Sequence, residues 1–138
     1  MRTHQPKKSN FLDLNKLAEM QKDLGDHFPT VMQIFQSGLM ARTERISHAI
    51  KEHNLEQMTM ESHSLKSICR QIGLYWMGEL AAKLESIGES GKTQGAESLV
   101  SQLISTGALS NLELTKYCSP VNKPRPFFEK HIIAPLPK

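Results

Sequence analysis

The 138-residue chain has few cysteines and no long apolar run. Cys69 and Cys118 are the only cysteines. Cys69 falls on the inward face of a helical repeat, where a free thiol packs as a small hydrophobic group, so we expect both to be reduced. No stretch of about 18 apolar residues occurs, and the N-terminus is polar through Asn10. We therefore expect no signal peptide and no membrane insertion. The expected location is the cytoplasm.

Sequence patterns for nucleotide or metal chemistry are also missing. The chain has no glycine-rich nucleotide loop, no Walker pattern and no cluster of acidic metal ligands, so we expect no ATP site and no metal site of its own. A helical bundle that binds metal through His48 and His53 is disfavoured. These residues are five apart, about 140° around a helix, and Cys69 faces the core, so the ligands do not converge.

The net charge of +3 is unevenly distributed. Residues 10–119 carry ten basic and thirteen acidic side chains, whereas the two ends carry seven basic and one acidic. A mildly acidic body with basic ends is not a nucleic-acid footprint. We expect the ends to serve solubility, and no nucleic-acid partner.

Apolar periodicity predicts an all-α fold, because no segment shows a convincing strand pattern. Helices are expected over residues 11–22, 26–53, 54–73, 75–87 and 94–117. Gly25 and Asp26 are the expected C-cap and N-cap where the first two helices meet, Asn54 is the expected N-cap of the third, and a break is expected from Gly88 to Gly91. Short connections between long amphipathic helices favour an up-and-down four-helix bundle with a short additional N-terminal helix.

The predicted organisation has three parts. Residues 1–9 form a disordered basic N-terminus, residues 10–118 the helical bundle, and residues 119–138 an extended Pro-rich basic tail with five prolines. The tail also holds Phe127, Phe128, Ile132 and Ile133. Packing of these side chains on the bundle is favoured over a docking segment for a partner, and both remain open.

The third predicted helix displays a histidine. Its inward stripe comprises six residues at steps of three and four: Leu55, Met58, Ser62, Leu65, Cys69 and Ile72. His63 falls about 140° from the centre of that stripe, so its imidazole is expected in solvent. Lys66 and the small residue Ser67 follow within one turn. The pattern indicates a nucleophile on a rigid helix beside a cation.

The segment His63-Ser64-Leu65-Lys66-Ser67, with Gly73 beyond it, resembles the core motif of histidine-containing phosphotransfer (HPt) domains of two-component phosphorelays. That motif is His-x-Leu-Lys-Gly followed six residues later by glycine. The resemblance covers about residues 10–118. Further matching positions lie on the neighbouring helices: Phe28, Phe35, Leu39, Asn54, Met77, Leu80, Ala81, Leu84 and Glu85.

The resemblance implies a phosphorelay intermediate, a carrier rather than an enzyme with turnover. His63 would accept a phosphoryl group from an aspartyl phosphate of a receiver domain and pass it to another receiver domain. Lys66 would stabilise the phosphoryl group, Ser67 would leave room for the partner, and Glu85 is a candidate to orient the imidazole. Mg²⁺ would come from the receiver, so the chain needs no cofactor.

Receiver domains of hybrid sensor kinases and response regulators are the partners that the resemblance implies. Candidate contact residues around the histidine are Glu56, Met60, Ser64 and Arg70. A non-catalytic adaptor that binds receivers without carrying phosphate is the alternative. His63 and Lys66 argue against it. Ser67, where the family usually has glycine, and Arg70, where it commonly has a small residue, keep it open. Because the transfer surface must stay accessible, we expect a monomer.

Overall fold

The computed structural model describes residues 12–118, which fold as five α-helices and one short turn of 3₁₀ helix. The helices are α1 (Leu14–Leu24), α2 (Phe28–Lys51), α3 (Leu55–Ile72), α4 (Tyr75–Ser90) and α5 (Ala96–Cys118), with the 3₁₀ turn at Gly25–His27 between α1 and α2. No strand forms within these residues, which confirms the all-α prediction. The predictions for residues 1–9 and 119–138 fall outside the described part of the chain.

The helices α2 to α5 form an up-and-down bundle. Each packs against the next helix in the chain, and α5 returns to pack against α2, so α3 lies between α2 and α4 and diagonally across from α5. The short helix α1 is fixed at the end of the bundle where α3 turns into α4. There the backbone N–H of Asp13 donates to the carbonyl of Gly73 at 2.9 Å.

The core is apolar and receives side chains from every helix. Five of its fully buried members come from five different helices: Leu17, Phe28, Leu65, Met77 and Leu103. Each side chain of this size stabilises the fold by about 1.5–3 kcal/mol on burial. Both cysteines are free thiols, and burial raises the pKa of Cys69 to about 12. Cys69 is therefore protonated and packs as an apolar side chain.

Local sequence explains where the central helix α3 begins and ends. The side chain of Asn54 caps its N-terminus by accepting a hydrogen bond from the backbone N–H of Gln57 at 3.0 Å. Gly73 ends it in the left-handed conformation, with φ of 81°. The inward stripe is also confirmed, since Met58, Ser62, Leu65, Cys69 and Ile72 are buried. These features fix the rotational setting of α3 and hence the direction of His63.

Two expected helix boundaries are wrong. Asp26 does not cap α2, because it lies within the 3₁₀ turn and His27 occupies the N-cap position without a side-chain hydrogen bond. No break occurs at Gly88 either, since α4 continues to Ser90. Gly88 lies so close to Thr59 that any side chain would collide with it. The glycine therefore serves close packing of α3 and α4 and does not end the helix.

Several apolar residues of α1 and α5 lie on the surface. On α1, Leu14 is exposed, and on α5 so are Ile104, Leu109 and Leu112. The bundle covers only one face of α5, which it fills largely with small residues such as Ala96, Thr106, Gly107 and Ser110. The other apolar residues of α5 are consequently left in solvent.

Candidate functional site

His63 stands in the middle of α3 on the face away from the core. Its side chain is 61 % exposed, as the helical phase predicted. Glu56, Met60, Ser67 and Arg70 are exposed on the same helix, and Ser64 is half-buried. The site is therefore an open helical surface, and α3 presents every candidate contact residue at or beside it.

Glu85 of α4 joins the histidine and the lysine. Its Oε2 lies 2.7 Å from His63 Nδ1, and its Oε1 lies 2.6 Å from Lys66 Nζ. The Glu85 side chain is only 13 % exposed, whereas that of His63 projects into solvent. A single half-enclosed carboxylate thus holds two side chains of the neighbouring helix, with one oxygen for each.

Glycines on α4 permit this short reach between the helices. A side chain on Gly78 would meet Cys69 Cβ at 3.3 Å, and one on Gly88 would collide with Thr59. Both glycines face α3, one on each side of Glu85 along α4. Close approach of the two backbones brings the Glu85 carboxylate within hydrogen-bonding distance of its partners.

The electrostatics of the site favour an ionised Glu85. The hydrogen bond from Lys66 lowers the pKa of this carboxyl below its usual value, assisted by the hydrogen bond from His63 and opposed by partial burial. An ionised carboxylate only accepts hydrogen bonds, so Nδ1 of His63 is the donor. In the neutral imidazole Nε2 then carries the lone pair. The arrangement presents an imidazole whose outer nitrogen is available as a nucleophile.

A second cross-helix contact lies on the opposite side of α3. Glu61 accepts a hydrogen bond from Gln57 at 2.9 Å and faces Arg45 of α2 at 3.7 Å. Sequence reasoning missed this pair and the Lys66–Glu85 pair, because each joins residues that are distant in the chain. The only sequence signal for either contact was the resemblance that placed Glu85 near the histidine.

The described residues offer no metal centre. Among residues 12–118 no group of three or more His, Cys, Asp or Glu side chains converges on one point. His48 Nε2 lies 4.0 Å from Glu52 Oε2. None of the helices in this part of the chain is long and apolar enough to cross a bilayer.

Comparison with known proteins relates the chain to one family. The Hpt domain model matches residues 30–115, which include α3, α4 and most of α2 and α5. No curated protein matches the chain. The structure resembles the crystal structure of histidine-containing phosphotransfer protein B (HptB) from Pseudomonas aeruginosa PAO1, with a TM-score of 0.75 and 20 % sequence identity. The likeness covers 78 % of this chain and 93 % of that one, and it concerns the fold.

Proposed function

The chain belongs to the Hpt domain family, and we propose that it is the phosphorelay intermediate which carries a phosphoryl group on His63 between two receiver domains. The donor would be the aspartyl phosphate of one receiver, and the acceptor the aspartate of another. The observation that carries this proposal is the contact between Nδ1 of His63 and Glu85 at 2.7 Å on an otherwise exposed imidazole. This contact directs the Nδ1 proton toward Glu85 and leaves Nε2 for the phosphoryl group.

The proposed transfer needs few groups from this chain. The Nε2 lone pair of His63 attacks phosphorus, the N–P bond forms, and the P–O bond to the receiver's aspartate breaks. The carboxylate leaves with the electron pair, and the Nδ1 proton stays shared with Glu85. The reverse sequence on a second receiver returns the imidazole to its starting state. The protein is therefore a carrier that is regenerated by its partners.

In the proposed transfer, Lys66 contacts the phosphoryl group as well as Glu85. Its ammonium group starts 2.6 Å from Glu85 and one helical turn from His63. We propose that it stabilises the negative charge of the phosphoryl oxygens while Glu85 keeps it oriented. Ser67 is exposed on the following turn and is small enough to let a receiver backbone approach. Mg²⁺ would come from the receiver, as the family resemblance implies.

Phosphoryl transfer tests the proposal directly. Receiver domains from the same genome are phosphorylated with labelled phosphate and mixed with the wild type, with His63→Gln, and with His48→Gln. The last is the matched control, because His48 is also an exposed histidine, on α2. We expect acid-labile, base-stable label on the wild type and the control, and none on His63→Gln. Binding of a receiver without any label would instead identify a non-catalytic adaptor.

The role of Glu85 needs its own variant. Glu85→Ala removes the acceptor for Nδ1 and the anchor of Lys66, so we expect transfer to slow by roughly 10- to 100-fold, as when other orienting partners of histidines are removed. Glu89→Gln on the same helix is the control. Nitrogen NMR of the His63 ring distinguishes a lost ring orientation from a lost fold. If only the orientation is lost, the tautomer populations of His63 change while the backbone spectrum is preserved. An unchanged rate in Glu85→Ala would contradict the orienting role.

A further inference from the structure

The C-terminal segment, residues 119–138, carries apolar side chains that the proposed phosphoryl transfer does not use. It combines five prolines with Phe127, Phe128, Ile132 and Ile133. Proline favours an extended backbone, so such a segment loses little conformational freedom when it docks on a surface. An enclosed phenylalanine side chain buries about 150–250 Å². These residues lie outside the described part of the chain, and the described part offers an apolar cleft within their reach.

This cleft lies between α2 and α5, and we call it the α2–α5 cleft. Its apolar walls are Met40 of α2, which is 43 % exposed, and Ile104 of α5, which is 48 % exposed. The buried residues Thr43 and Gly107 line its base. The other lining residues are polar: Glu44, Ser47, His48 and Lys51. Its volume of about 400 Å³ is in the range of sites that enclose an apolar group within a polar rim.

The direction of α5 places the start of the C-terminal segment at one end of this cleft. The rings of Phe28 and Tyr117 are 6.2 Å apart, and further along α2 and further back along α5, Met40 and Gly107 line the same cleft. The two helices are therefore antiparallel, and Cys118, the last residue of α5, lies at the beginning of α2. A chain that reverses direction after Cys118 runs along the groove between α2 and α5 toward the cleft.

The spacing of the segment matches the distance to the cleft. Ile104 lies fourteen residues before Cys118, which is about 21 Å along the helix. Phe127 lies nine residues beyond Cys118, and an extended Pro-rich backbone of that length spans about 28 Å. The excess of about 7 Å allows the chain to turn back after the helix. Val121 spans only about 9 Å, so Phe127 and Phe128 are the first aromatic side chains that can enter the cleft.

The net charges of the segment and the bundle have opposite signs. Residues 119–138 carry four basic and one acidic side chain, whereas residues 12–118 carry ten basic and thirteen acidic ones. Attraction between exposed charges is weak and is screened by salt, so it favours contact without selecting a site. The apolar walls of the cleft and the two phenylalanines supply the selection.

We propose that the C-terminal segment folds back along the groove between α2 and α5 and places Phe127 and Phe128 in the α2–α5 cleft, between Met40 and Ile104. The segment then covers part of the bundle surface diagonally across from α3, so His63 stays accessible. This inference does not depend on the proposed function, because it concerns a contact of the chain with itself.

The helix α5 supplies a matched control for the test. Leu109 is 47 % exposed, nearly the same as Ile104, but it lies five residues further on and about 140° around the helix. It does not line the cleft. A contact with the segment should therefore involve Ile104 and leave Leu109 unaffected.

Methyl and aromatic NMR of the full chain detects the contact directly. We expect nuclear Overhauser effects from the rings of Phe127 and Phe128 to the methyl groups of Met40 and Ile104, and none to Leu109. In the double variant Phe127→Ser/Phe128→Ser, the methyl signals of Met40 and Ile104 should shift and that of Leu109 should stay in place. The same contacts should be present in His63→Gln, so failure of the proposed function leaves this test intact.

Urea unfolding measures the contribution of the contact to stability. We expect the double variant Phe127→Ser/Phe128→Ser to raise the unfolding equilibrium constant about five- to thirtyfold. The same double variant should have a much smaller effect in a chain that carries Ile104→Ser, because the contact is already lost there. In a chain that carries Leu109→Ser it should keep its full effect. Equal effects in both backgrounds would contradict the proposal.

The NMR experiment also identifies other occupants. Ring contacts to Ile34 or Leu14 in place of Met40 and Ile104 would show that the segment docks elsewhere, and the proposal would be wrong. Contacts between differently labelled chains in a mixed sample would show that a second copy supplies the phenylalanines, which also overturns it. No ring contact to any methyl group of the bundle would leave the cleft open and overturn it as well.

Discussion

At the scale of single residues, two exposed histidines of residues 12–118 that have acidic neighbours differ in how closely they are held. His48 lies 4.0 Å from Glu52 on its own helix, and both side chains are largely in solvent. His63 lies 2.7 Å from a half-enclosed carboxylate on a different helix. A contact between two helices fixes the ring relative to the bundle, whereas a contact within one exposed helix turn does not. This difference separates a positioned nucleophile from a surface histidine.

The carboxylate of Glu85 makes part of the stability depend on pH. The hydrogen bond from Lys66, and then that from His63, lowers its folded-state pKa from the ordinary 4.5. A carboxyl with a lowered folded pKa stabilises the fold above its unfolded pKa, and this stability is lost as the pH falls through the folded pKa. The difference in unfolding free energy between the wild type and Glu85→Gln should therefore be constant near neutral pH and shrink below about pH 4.5.

Urea unfolding of the wild type and Glu85→Gln from about pH 3 to pH 7 measures this difference. Glu89→Gln, which removes an exposed carboxylate from the same helix, is the control and should show little pH-dependent difference. A difference between the wild type and Glu85→Gln that grows in acid would show that Glu85 is not held as an ion pair in solution.

At the scale of helices, glycines inside α2 and α4 have opposite surroundings. Gly38 on α2 has only Ile68 near the position of a Cβ, at ordinary contact distance. Gly88 on α4 lies against Thr59, where a Cβ has no room. The same substitution should therefore have opposite effects at the two positions.

We expect Gly38→Ala to stabilise the fold by about 0.5–1 kcal/mol, because alanine restricts the unfolded chain and favours the helix. Gly88→Ala should destabilise it by about 1–3 kcal/mol, because α3 and α4 must separate to admit the methyl group. Urea unfolding of both variants gives the comparison. Since α4 carries Glu85, Gly88→Ala should also disturb the ring tautomer of His63. Equal and small effects would mean that the two helices are less closely packed than the structure describes.

The sequence predicted α3 well because its signals are local. Asn54, the inward stripe and Gly73 each act within one or two turns, and together they set the start, phase and end of the helix. The connection between α1 and α2 at Asp26 and the continuation of α4 past Gly88 depend on contacts with neighbouring segments. Capping residues and glycines in the local sequence therefore predicted both boundaries wrongly. The same limit applies to the candidate site. Exposure of His63 followed from helical phase, whereas the Lys66–Glu85 contact requires knowledge of how α3 and α4 pack.

At the scale of the whole molecule, the candidate transfer face around His63 and an exposed apolar surface on α5 lie on different sides of the bundle. The helix that displays His63 lies between α2 and α4, and both neighbours contribute to its surroundings, through Arg45 and Glu85 respectively. Diagonally opposite, α5 leaves Ile104, Leu109 and Leu112 exposed. These apolar residues thus form a separate surface, because four helices around one core can bury only one side of each.

The exposed apolar side chains bear on whether the protein forms a homodimer. A stable homodimer needs about 1,200–2,000 Å² of buried area with a continuous apolar centre. The large exposed apolar side chains of residues 12–118 are instead spread over all five helices: Leu14, Ile34, Met40, Met60, Tyr75, Ile104, Leu109 and Leu112. Each is still partly covered by its own helix, so they offer no such centre. We therefore expect a monomer whose transfer face stays open to receivers.

Sedimentation equilibrium from about 5 to 200 µM tests this expectation, since self-association depends on concentration. The mass should stay at 15.6 kDa across the range. Leu112→Ser on α5 and Ile34→Ser on α2, which each replace an exposed apolar side chain, should give the same mass as the wild type. A mass that rises with concentration would show association, and the variant that abolishes the rise would identify the surface involved. Association through Leu112 would leave transfer per chain unchanged, because α5 is diagonally across the bundle from His63.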